Sequence, residues 1–310
     1  MLDLAQTHSL TLGYKWSPPK CAVLNAPAAT SSRSVQLSLY GQDLPTADEF
    51  TYLGVPFNGQ GISTSALIKH RSSGTIAAMA QLHSMGLNRQ GFPLLLSSRL
   101  FAAFIRPELE YGLAIAQLTR KDYDELNRAQ DRCLRMLVGG HRTASTVVLR
   151  HITNLPSMSF RADTLVLKFC RRFEGLPDDC LLSLLAQSVP VSHLSRLRKR
   201  KIVLDCPSDV SSSSRLASWL RKVDPILYLP ASRADRSRLI RWRMGWIPGK
   251  PDPCSCGLGD TSRSHLMVCT LVPSALWCCL PVPPPGYVGH HIDYVLNLLP
   301  VSAAARYLSS

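Results

Sequence analysis

The hydrophobic pattern of the chain changes its period near residue 63, and this change limits the fold class more than any other feature. Before it, Val35, Leu37 and Leu39 alternate with polar residues, as is typical of a half-buried strand. After it, apolar residues recur at helical spacing. The sequence therefore predicts a mainly α protein with a small N-terminal β region.

The helical part is divided into nine predicted segments. They lie at about residues 63–85, 92–105, 121–138, 144–152, 157–174, 178–188, 193–204, 214–223 and 233–244. The N-terminal region is predicted to hold a short amphipathic helix over residues 2–14 and strands at residues 20–24, 34–40 and 50–55. Three short strands and one helix cannot form a domain of their own. We therefore expect them to depend on the helical part or on a further partner.

The charge of the chain is strongly basic and unevenly placed. There are 35 Lys and Arg residues against 21 Asp and Glu residues, which gives a formal net charge of +14. Residues 61–192 contribute +6 and residues 193–250 contribute +10, while each end of the chain contributes −1. Such an excess attracts a polyanion by neutralising phosphates and releasing counterions. A solvated, flexible linker has the same composition, so charge alone leaves both interpretations open.

No apolar stretch approaches the ~20 residues that a membrane span requires. The start of the chain also lacks the basic and then apolar layout of a signal peptide. We therefore expect an intracellular protein, in the nucleus or the cytoplasm, without a membrane partner. In a reducing compartment, closely spaced cysteines are more typical of a metal site than of a disulfide framework.

Four metal-binding side chains follow one another near the C-terminal end in the pattern C-x-C-x8-H-x3-C. They are Cys254, Cys256, His265 and Cys269. Thiolate and imidazole ligands suit tetrahedral Zn²⁺, and a shell of four protein ligands leaves no position for water. The predicted Zn²⁺ is therefore structural, with the third and fourth ligands on one face of a short helix.

Two other interpretations of these cysteines stay open. The four residues could be unrelated members of a cysteine-tolerant tail. Alternatively, a nearby residue could replace one of the ligands, and the candidates are Cys278, Cys279, His290 and His291. Replacement is disfavoured because either the stiff proline run at residues 281–285 or longer loops separate these candidates from the other ligands.

Three basic clusters are candidates for contact with nucleic acid, since guanidinium groups bind phosphate as a fork. They are Arg128, Arg132 and Arg135; Arg196, Arg198, Lys199, Arg200 and Lys201; and Arg238, Arg241 and Arg243. In the first cluster, Asp124 and Asp131 stand four residues before Arg128 and Arg135, so intrahelical ion pairs can use part of the charge. A solvated helix face is the alternative.

The second and third clusters are equally ambiguous. The second also fits a nuclear-localisation signal, which is a motif of low specificity. The third interleaves with Leu239, Trp242 and Trp246. Indole rings can stack on exposed bases, but the same pattern describes a helix that buries its tryptophans in a core.

Motifs for catalysis are missing from the sequence. There is no phosphate-binding G-x-x-x-x-G-K, no nucleophile elbow, no H-E-x-x-H and no paired-aspartate hairpin for two-metal nucleotidyl transfer. Asp178 and Asp179 are adjacent, but they follow a proline at the start of a predicted helix, where acids favour the positive end of the dipole. We interpret them as a cap.

Four passages, taken in order, resemble one protein family. They are HSLTLGYKWSPPKCAVL at residues 8–24; FTYLGV at 50–55; FIRPELEYG at 104–112 with QDRCLRML at 130–137 and LPS at 155–157; and RWR at 241–243 followed by the Cys/His set. Together they resemble the C-terminal part of a reverse transcriptase from a non-LTR (LINE-type) retrotransposon. The Cys/His set is the most specific of the four.

This resemblance implies a division of the chain into five regions. They are a palm remnant with primer-grip-like strands at 1–57, a helical thumb-like domain at 58–190, a basic helical connector at 191–250, a zinc knuckle at 251–275, and a Pro-rich spacer with a terminal helix at 276–310. In the family the thumb binds the template–primer duplex and the knuckle binds nucleic acid. Within the first region, the resemblance marks Phe50, Tyr52, Leu53 and Gly54 as primer-grip-like and Lys20 as the lysine at the palm edge.

The catalytic aspartates of the family precede anything present here, so we expect no polymerisation by this chain alone. Without an active site to serve, Lys20 is best interpreted as an exposed structural lysine. The first hypothesis is thus a truncated fragment that binds the phosphate backbone of RNA or DNA, independently of the nucleotide sequence. The second is a piece of an active RNA-directed DNA polymerase whose N-terminal half was lost by an error in the gene prediction or is supplied separately in trans. Mg²⁺ is then expected only together with that catalytic half. The third is a zinc-stapled interaction protein with no nucleic-acid role.

Overall fold

The computed structural model describes residues 1–24, 36–188, 224–229, 232–244, 253–287 and 289–298. Helices dominate these residues and the strands are short, which confirms the prediction of a mainly α fold with small sheets. The helices predicted at 193–204 and 214–223 lie outside the described residues. Within the described part, no helix is both long and apolar enough to cross a membrane.

The N-terminal region holds one helix and seven short strands among its described residues. They are α1 (Leu2–Thr11), β1 (Val23–Leu24), β2 (Ser38–Leu39), β3 (Gln42–Asp43), β4 (Thr46–Ala47), β5 (Glu49–Tyr52), β6 (Val55–Asn58) and β7 (Gly61–Ile62). β1 pairs with β4 in parallel, β2 pairs with β3 in an antiparallel hairpin, and β5, β6 and β7 form an antiparallel sheet in that order. The small N-terminal β region that was predicted is therefore divided among three small sheets.

Two details of this region differ from the sequence prediction. α1 is not amphipathic: it buries Ser9, while Leu4 and Leu10 are exposed. Its contact is polar instead, because the Gln6 side chain accepts a hydrogen bond of 2.8 Å from the Tyr40 backbone amide. Residues 34 and 35 of the strand predicted at 34–40 lie outside the described residues, and within residues 36–40 the strand is β2, after which the chain reverses into β3.

The strand predicted at 50–55 is a hairpin rather than one strand. Tyr52 at the end of β5 pairs with Val55 at the start of β6, and Leu53 and Gly54 form the two-residue loop between them. Both loop residues have positive φ, 47° and 75°, as in a type I′ turn. A strand interpretation failed here because Leu is a poor signal for the left-handed region that the first loop position requires.

The helical region begins directly after the third sheet. It comprises α2 (Thr64–Ser84), α3 (Leu94–Leu100), α4 (Arg106–Glu110), α5 (Arg120–Val138), α6 (Thr146–Thr153), α7 (Met158–Glu174) and α8 (Leu181–Ser188). A π-helical turn joins α3 to α4 without a break. The ends of α5 agree with its sequence signals, since Thr119 and Asp122 form a capping box and Gly139 ends the helix at φ 67°.

The hydrophobic core lies between α2, α5 and the helices that pack around them. On one side, Leu134 of α5 packs with Leu149 and Ile152 of α6 in the larger cluster. On the other side, Leu126 of α5 packs with Met158 of α7 in a second cluster. α5 contributes to both clusters because its apolar residues recur at helical spacing along its whole length.

The C-terminal part adds one short 3₁₀ turn and four helices among the described residues. They are the 3₁₀ turn Pro225–Leu227, α9 (Arg233–Arg243), α10 (Arg263–Leu266), α11 (Ser274–Cys278) and α12 (His291–Leu298). Ile226, Leu227 and Ile240 are buried in the same cluster as the core residues of α5 and α6. The 3₁₀ turn and α9 are therefore packed against the helical core.

Leu53 is the most direct test of the hairpin geometry. Its side chain is 72% exposed, so replacing it removes no core contact. A left-handed conformation costs a leucine on the order of 1 kcal/mol more than an asparagine. We expect Leu53→Asn to raise the free energy of unfolding by about that amount in urea denaturation, and Leu53→Ala, which keeps the Cβ strain, to leave it nearly unchanged. Equal effects of the two substitutions would contradict the hairpin.

Candidate metal centre

The four predicted ligands converge at one point of the structure. Cys254 Sγ lies 3.6 Å from Cys269 Sγ, and Cys256 Sγ lies 3.1 Å from His265 Nε2. All four ligand atoms are within 4.8 Å of one another. A tetrahedral Zn²⁺ needs about 3.6–3.8 Å between its ligand atoms, so the side chains are preassembled to within about 1 Å of that geometry.

The first two ligands lie on a tight loop that the backbone stabilises. Cys254 N donates to Gly259 O at 2.8 Å, and Gly257 N donates to Cys254 O at 2.9 Å. Gly257 has φ 74°, a conformation that its missing Cβ permits. The amide of Leu258 points at Cys256 Sγ, 3.4 Å away. Such an N–H donor favours a sulfur that carries negative charge.

The other two ligands are placed by α10. Ser262 caps this helix by accepting a hydrogen bond of 3.2 Å from the His265 amide. The helix ends at Leu266, and Cys269 follows after a turn, with both ligands buried. The prediction that His265 and Cys269 share one helix face is therefore wrong in detail, because four residues of helix and a turn bring them together.

The chemistry of the donor set fits Zn²⁺. Hydrogen bonds from the Cys256 amide and the His265 ring lower the pKa of the Cys254 thiol to about 7, which favours the thiolate that binds metal. Among the described residues, no other group of His, Cys, Asp and Glu side chains converges in this way. The cluster can hold a metal ion and is compatible with structural Zn²⁺.

The alternative ligands considered from the sequence lie outside the cluster. Cys278 and Cys279 are exposed on and after α11. His290 Nε2 lies 3.0 Å from the carbonyl oxygen of Arg263, and His291 Nε2 lies 2.6 Å from that of Pro281. Both imidazoles thus meet backbone oxygens and leave the four predicted ligands as the convergent set.

Arg263, the first residue of α10, connects the metal centre to the helices around it. Its guanidinium forms an ion pair with Asp293 of α12 and lies 4.8 Å from the centroid of the Trp242 ring. Trp242 is buried, and its indole Nε1 donates to Asp293 at 3.1 Å. Of the two interpretations of this tryptophan, the core helix agrees with the structure.

Arg243 is buried, and the prediction that it contacts nucleic acid is wrong for this structure. Its side chain is 1% exposed. The guanidinium Nε lies 3.1 Å from Asp224 Oδ2, and the two terminal nitrogens lie 2.9 Å from Asp293 Oδ1 and 2.8 Å from Asn297 Oδ1. The guanidinium is therefore used inside the protein.

The other two arginines of that cluster are more accessible. Arg238 is exposed and forms a surface ion pair of 3.1 Å with Asp235, while Arg241 is half-buried and its Nε donates to Ser237 O. The basic cluster at residues 196–201 lies outside the described residues, as does Trp246.

The arginines of α5 also differ in their surroundings. Arg128 and Arg132 are exposed and one helical turn apart, whereas Arg135 is half-buried. The expected pair of Asp131 with Arg135 is not formed, because Arg150 of α6 donates to both oxygens of Asp131 at 2.7–3.0 Å. Of the three α5 arginines predicted to contact nucleic acid, Arg128 and Arg132 are therefore the two exposed ones.

The primer-grip-like residues lie in the hairpin of β5 and β6. Tyr52 and Leu53 are exposed, and Phe50 is half-buried. Arg71 of α2 donates to Gly54 O at 2.8 Å, and its side chain is itself held by Glu108 at 3.0 Å.

The same hairpin loop has a second contact with the helical region. The Tyr111 hydroxyl donates to Leu53 O at 2.7 Å, and the Arg71 guanidinium stacks on the Tyr111 ring, 4.4 Å from its centroid. Lys20, the other residue marked by the resemblance, ends a 3₁₀ turn at Pro18–Lys20 and is exposed.

Five residues that organise these sites were not singled out by sequence reasoning: Asp224, Asp293, Arg263, Arg71 and Tyr111. Asp293 carries the clearest signal, since it is the sole charged residue within the apolar stretch of α12. Asp224 precedes Pro225, a pair typical of a turn start, and gives no indication of its buried partners. Arg71 and Tyr111, which hold the hairpin loop, are not marked by any local sequence pattern, because their partners are distant in sequence.

Comparison with known proteins adds nothing to these observations. No protein-family model, no curated protein and no solved structure matches the chain.

The metal centre predicts about one equivalent of Zn²⁺ per chain. We expect metal analysis of freshly purified protein to show this content, and Cys254→Ser combined with Cys256→Ser to abolish it because half of the ligands are lost. The matched control is Cys278→Ser combined with Cys279→Ser, which removes two exposed thiols nearby and leaves the metal content unchanged. Metal-free native protein, or equal contents in the two double variants, would contradict the site.

Proposed function

We propose that the chain is a nucleic-acid-binding segment that corresponds to the C-terminal part of a non-LTR retrotransposon reverse transcriptase. It binds template–primer or RNA through the phosphate backbone, and a structural Zn²⁺ stabilises its knuckle. The observation that supports this most is the convergence of Cys254, Cys256, His265 and Cys269, since these four residues are the most specific part of the resemblance. On this proposal the chain is intracellular.

The electrostatics of the helical region support a polyanionic partner. Residues 61–250 carry a net charge of +16. Arg128 and Arg132 are exposed on one face of α5, at a spacing of one helical turn, where guanidinium groups can reach a phosphate. Arg128 Nε donates to the Asp124 carbonyl oxygen at 3.1 Å, a contact within one helical turn on the exposed side of α5. Contacts of this kind read charge and backbone shape rather than base sequence, so binding tolerates changes of sequence.

The knuckle takes a supporting part in this proposal. Arg263 is the sole Lys or Arg of residues 253–287, and Asp293 and the Trp242 ring already engage its guanidinium. Phosphate neutralisation is thus assigned to the helical region, while the Zn²⁺ site gives the C-terminal part a defined fold. With four protein ligands the metal has no open position and supplies no nucleophile.

Catalysis lies outside this proposal. The sequence contains no paired-aspartate hairpin for two Mg²⁺ ions, so RNA-directed DNA synthesis would require a polymerase segment that supplies one. The exposed hairpin residues Tyr52, at the end of β5, and Leu53, in the loop, belong to the primer grip in the resemblance. Anchoring of the loop by Arg71 and Tyr111 would present it to a primer in a fixed orientation.

The test uses a fluorescently labelled RNA template annealed to a DNA primer, with binding followed by fluorescence anisotropy. We expect affinity to fall steeply between about 50 and 200 mM salt, because bound phosphates displace counterions. Arg128→Ala combined with Arg132→Ala should reduce the slope of log K against log salt by about 1.5, since two phosphate contacts are lost.

The matched control removes the same charge from other helices. Lys69 of α2 and Arg99 of α3 are both exposed, and Lys69→Ala combined with Arg99→Ala should leave the slope nearly unchanged. An equal loss in both variants would show attraction by net charge alone. Absence of binding to primed template and to single-stranded RNA at low salt would favour the zinc-stapled interaction protein instead.

A further inference from the structure

A histidine–carboxylate contact followed by three ion pairs joins the helical core to the metal-binding segment. The series consists, in spatial order, of His151, Asp224, Arg243, Asp293 and Arg263. We call these five residues the ionic chain, and residues 253–269 the knuckle. The ionic chain begins on α6 in the core and ends on α10, two residues before the ligand His265.

The middle of the ionic chain is shielded from water. The Asp224 and Arg243 side chains are 0% and 1% exposed, and that of Asp293 is 17% exposed. Its two carboxylates face two guanidinium groups, so the charges balance when all contacts are formed. If the knuckle moved away, Asp293 would keep its contacts with Arg243 and Trp242 but would lose its ion pair with Arg263. A largely buried carboxylate that loses one of its ionic partners is destabilising.

A second set of contacts follows the same path. The buried Trp242 ring lies beneath the Arg263 guanidinium, and the His290 ring meets it edge-on with centroids 4.4 Å apart. His290 also lies 3.0 Å from the carbonyl oxygen of Arg263. The first residue of α10 therefore contacts Trp242 of α9 and His290, which directly precedes α12.

We propose that Arg263 and Asp293 are positioning residues that couple metal binding in the knuckle to the packing of α9 and α12 on the helical core. Metal binding fixes α10 through His265, and α10 then presents Arg263 to Asp293 and Trp242. The coupling is reciprocal. A substitution that weakens the contacts of the ionic chain lowers the metal affinity by the same factor by which bound metal favours those contacts. The proposal concerns the metal centre and is independent of nucleic-acid binding.

The first experiment uses the unmodified full chain, with and without Zn²⁺, and measures amide hydrogen exchange. We expect metal to slow exchange at least tenfold in α9 and α12 as well as in the knuckle, because the contacts of Arg263 then persist. Protection confined to residues 253–269, with α9 and α12 unchanged, would overturn the proposal.

The second experiment measures metal affinity by titration with Co²⁺, whose visible absorption reports thiolate coordination. Asp293→Asn removes the charge that both guanidinium groups require and leaves all four ligands in place. We expect it to weaken Co²⁺ binding about tenfold, the size of effect that groups supporting metal ligands commonly have. A role confined to fold stability would lower the unfolding temperature without changing this affinity.

The matched control is Asp260→Asn, which removes the same charge from an exposed position inside the knuckle. We expect it to keep the native Co²⁺ affinity within twofold. Arg263→Gln gives an independent arm, because it removes the ion pair and the stacking on Trp242 while Asp293 stays. Native affinity in both Asp293→Asn and Arg263→Gln would overturn the proposal, and if neither variant folds, the exchange experiment on the unmodified chain still decides it.

Discussion

The C-terminal half of the structure depends on the burial of Arg243 between two carboxylates. Asp224 and Asp293 come from segments that are far apart in sequence, and the guanidinium of α9 holds both. Removal of one partner of such a buried group costs about 3–5 kcal/mol, a large part of the stability of a typical domain. The 3₁₀ turn, α9 and α12 therefore keep their places together.

Around this interaction, apolar and charged contacts make different contributions to the packing of the 3₁₀ turn, α9 and α12. Ile226, Leu227 and Ile240 attach the segment to the core of α5 and α6, which supplies most of the favourable free energy. The charges supply a defined geometry, because they permit one arrangement of the three elements. Burial also lowers the pKa of His151, which meets Asp224 at the edge of the same core. An apolar contact alone would allow the helices to slide.

The sequence was most informative where one segment determines its own structure. The spacing of the four metal ligands is such a local pattern, and the four side chains lie together as predicted. The capping box at Thr119 and the glycine after α5 are local patterns of the same kind, although no prediction used them. The sequence was less informative about which charged side chains form ion pairs with each other. Asp131 is four residues from Arg135, yet it binds Arg150, because tertiary packing brings a second guanidinium into a better geometry. Arg243 could likewise not be distinguished from the exposed Arg238 in the sequence, because its partners Asp224 and Asp293 come from distant segments.

The hairpin of β5 and β6 has a consequence for the order in which the chain assembles. Its two strands adjoin in sequence, so their pairing closes a very short loop and can form early. Its anchors arrive later: Arg71 is 17 residues from Gly54, and Tyr111 is 58 residues from Leu53. The register of the hairpin is thus a local property, whereas its direction in space is decided only when α2 and α4 have packed.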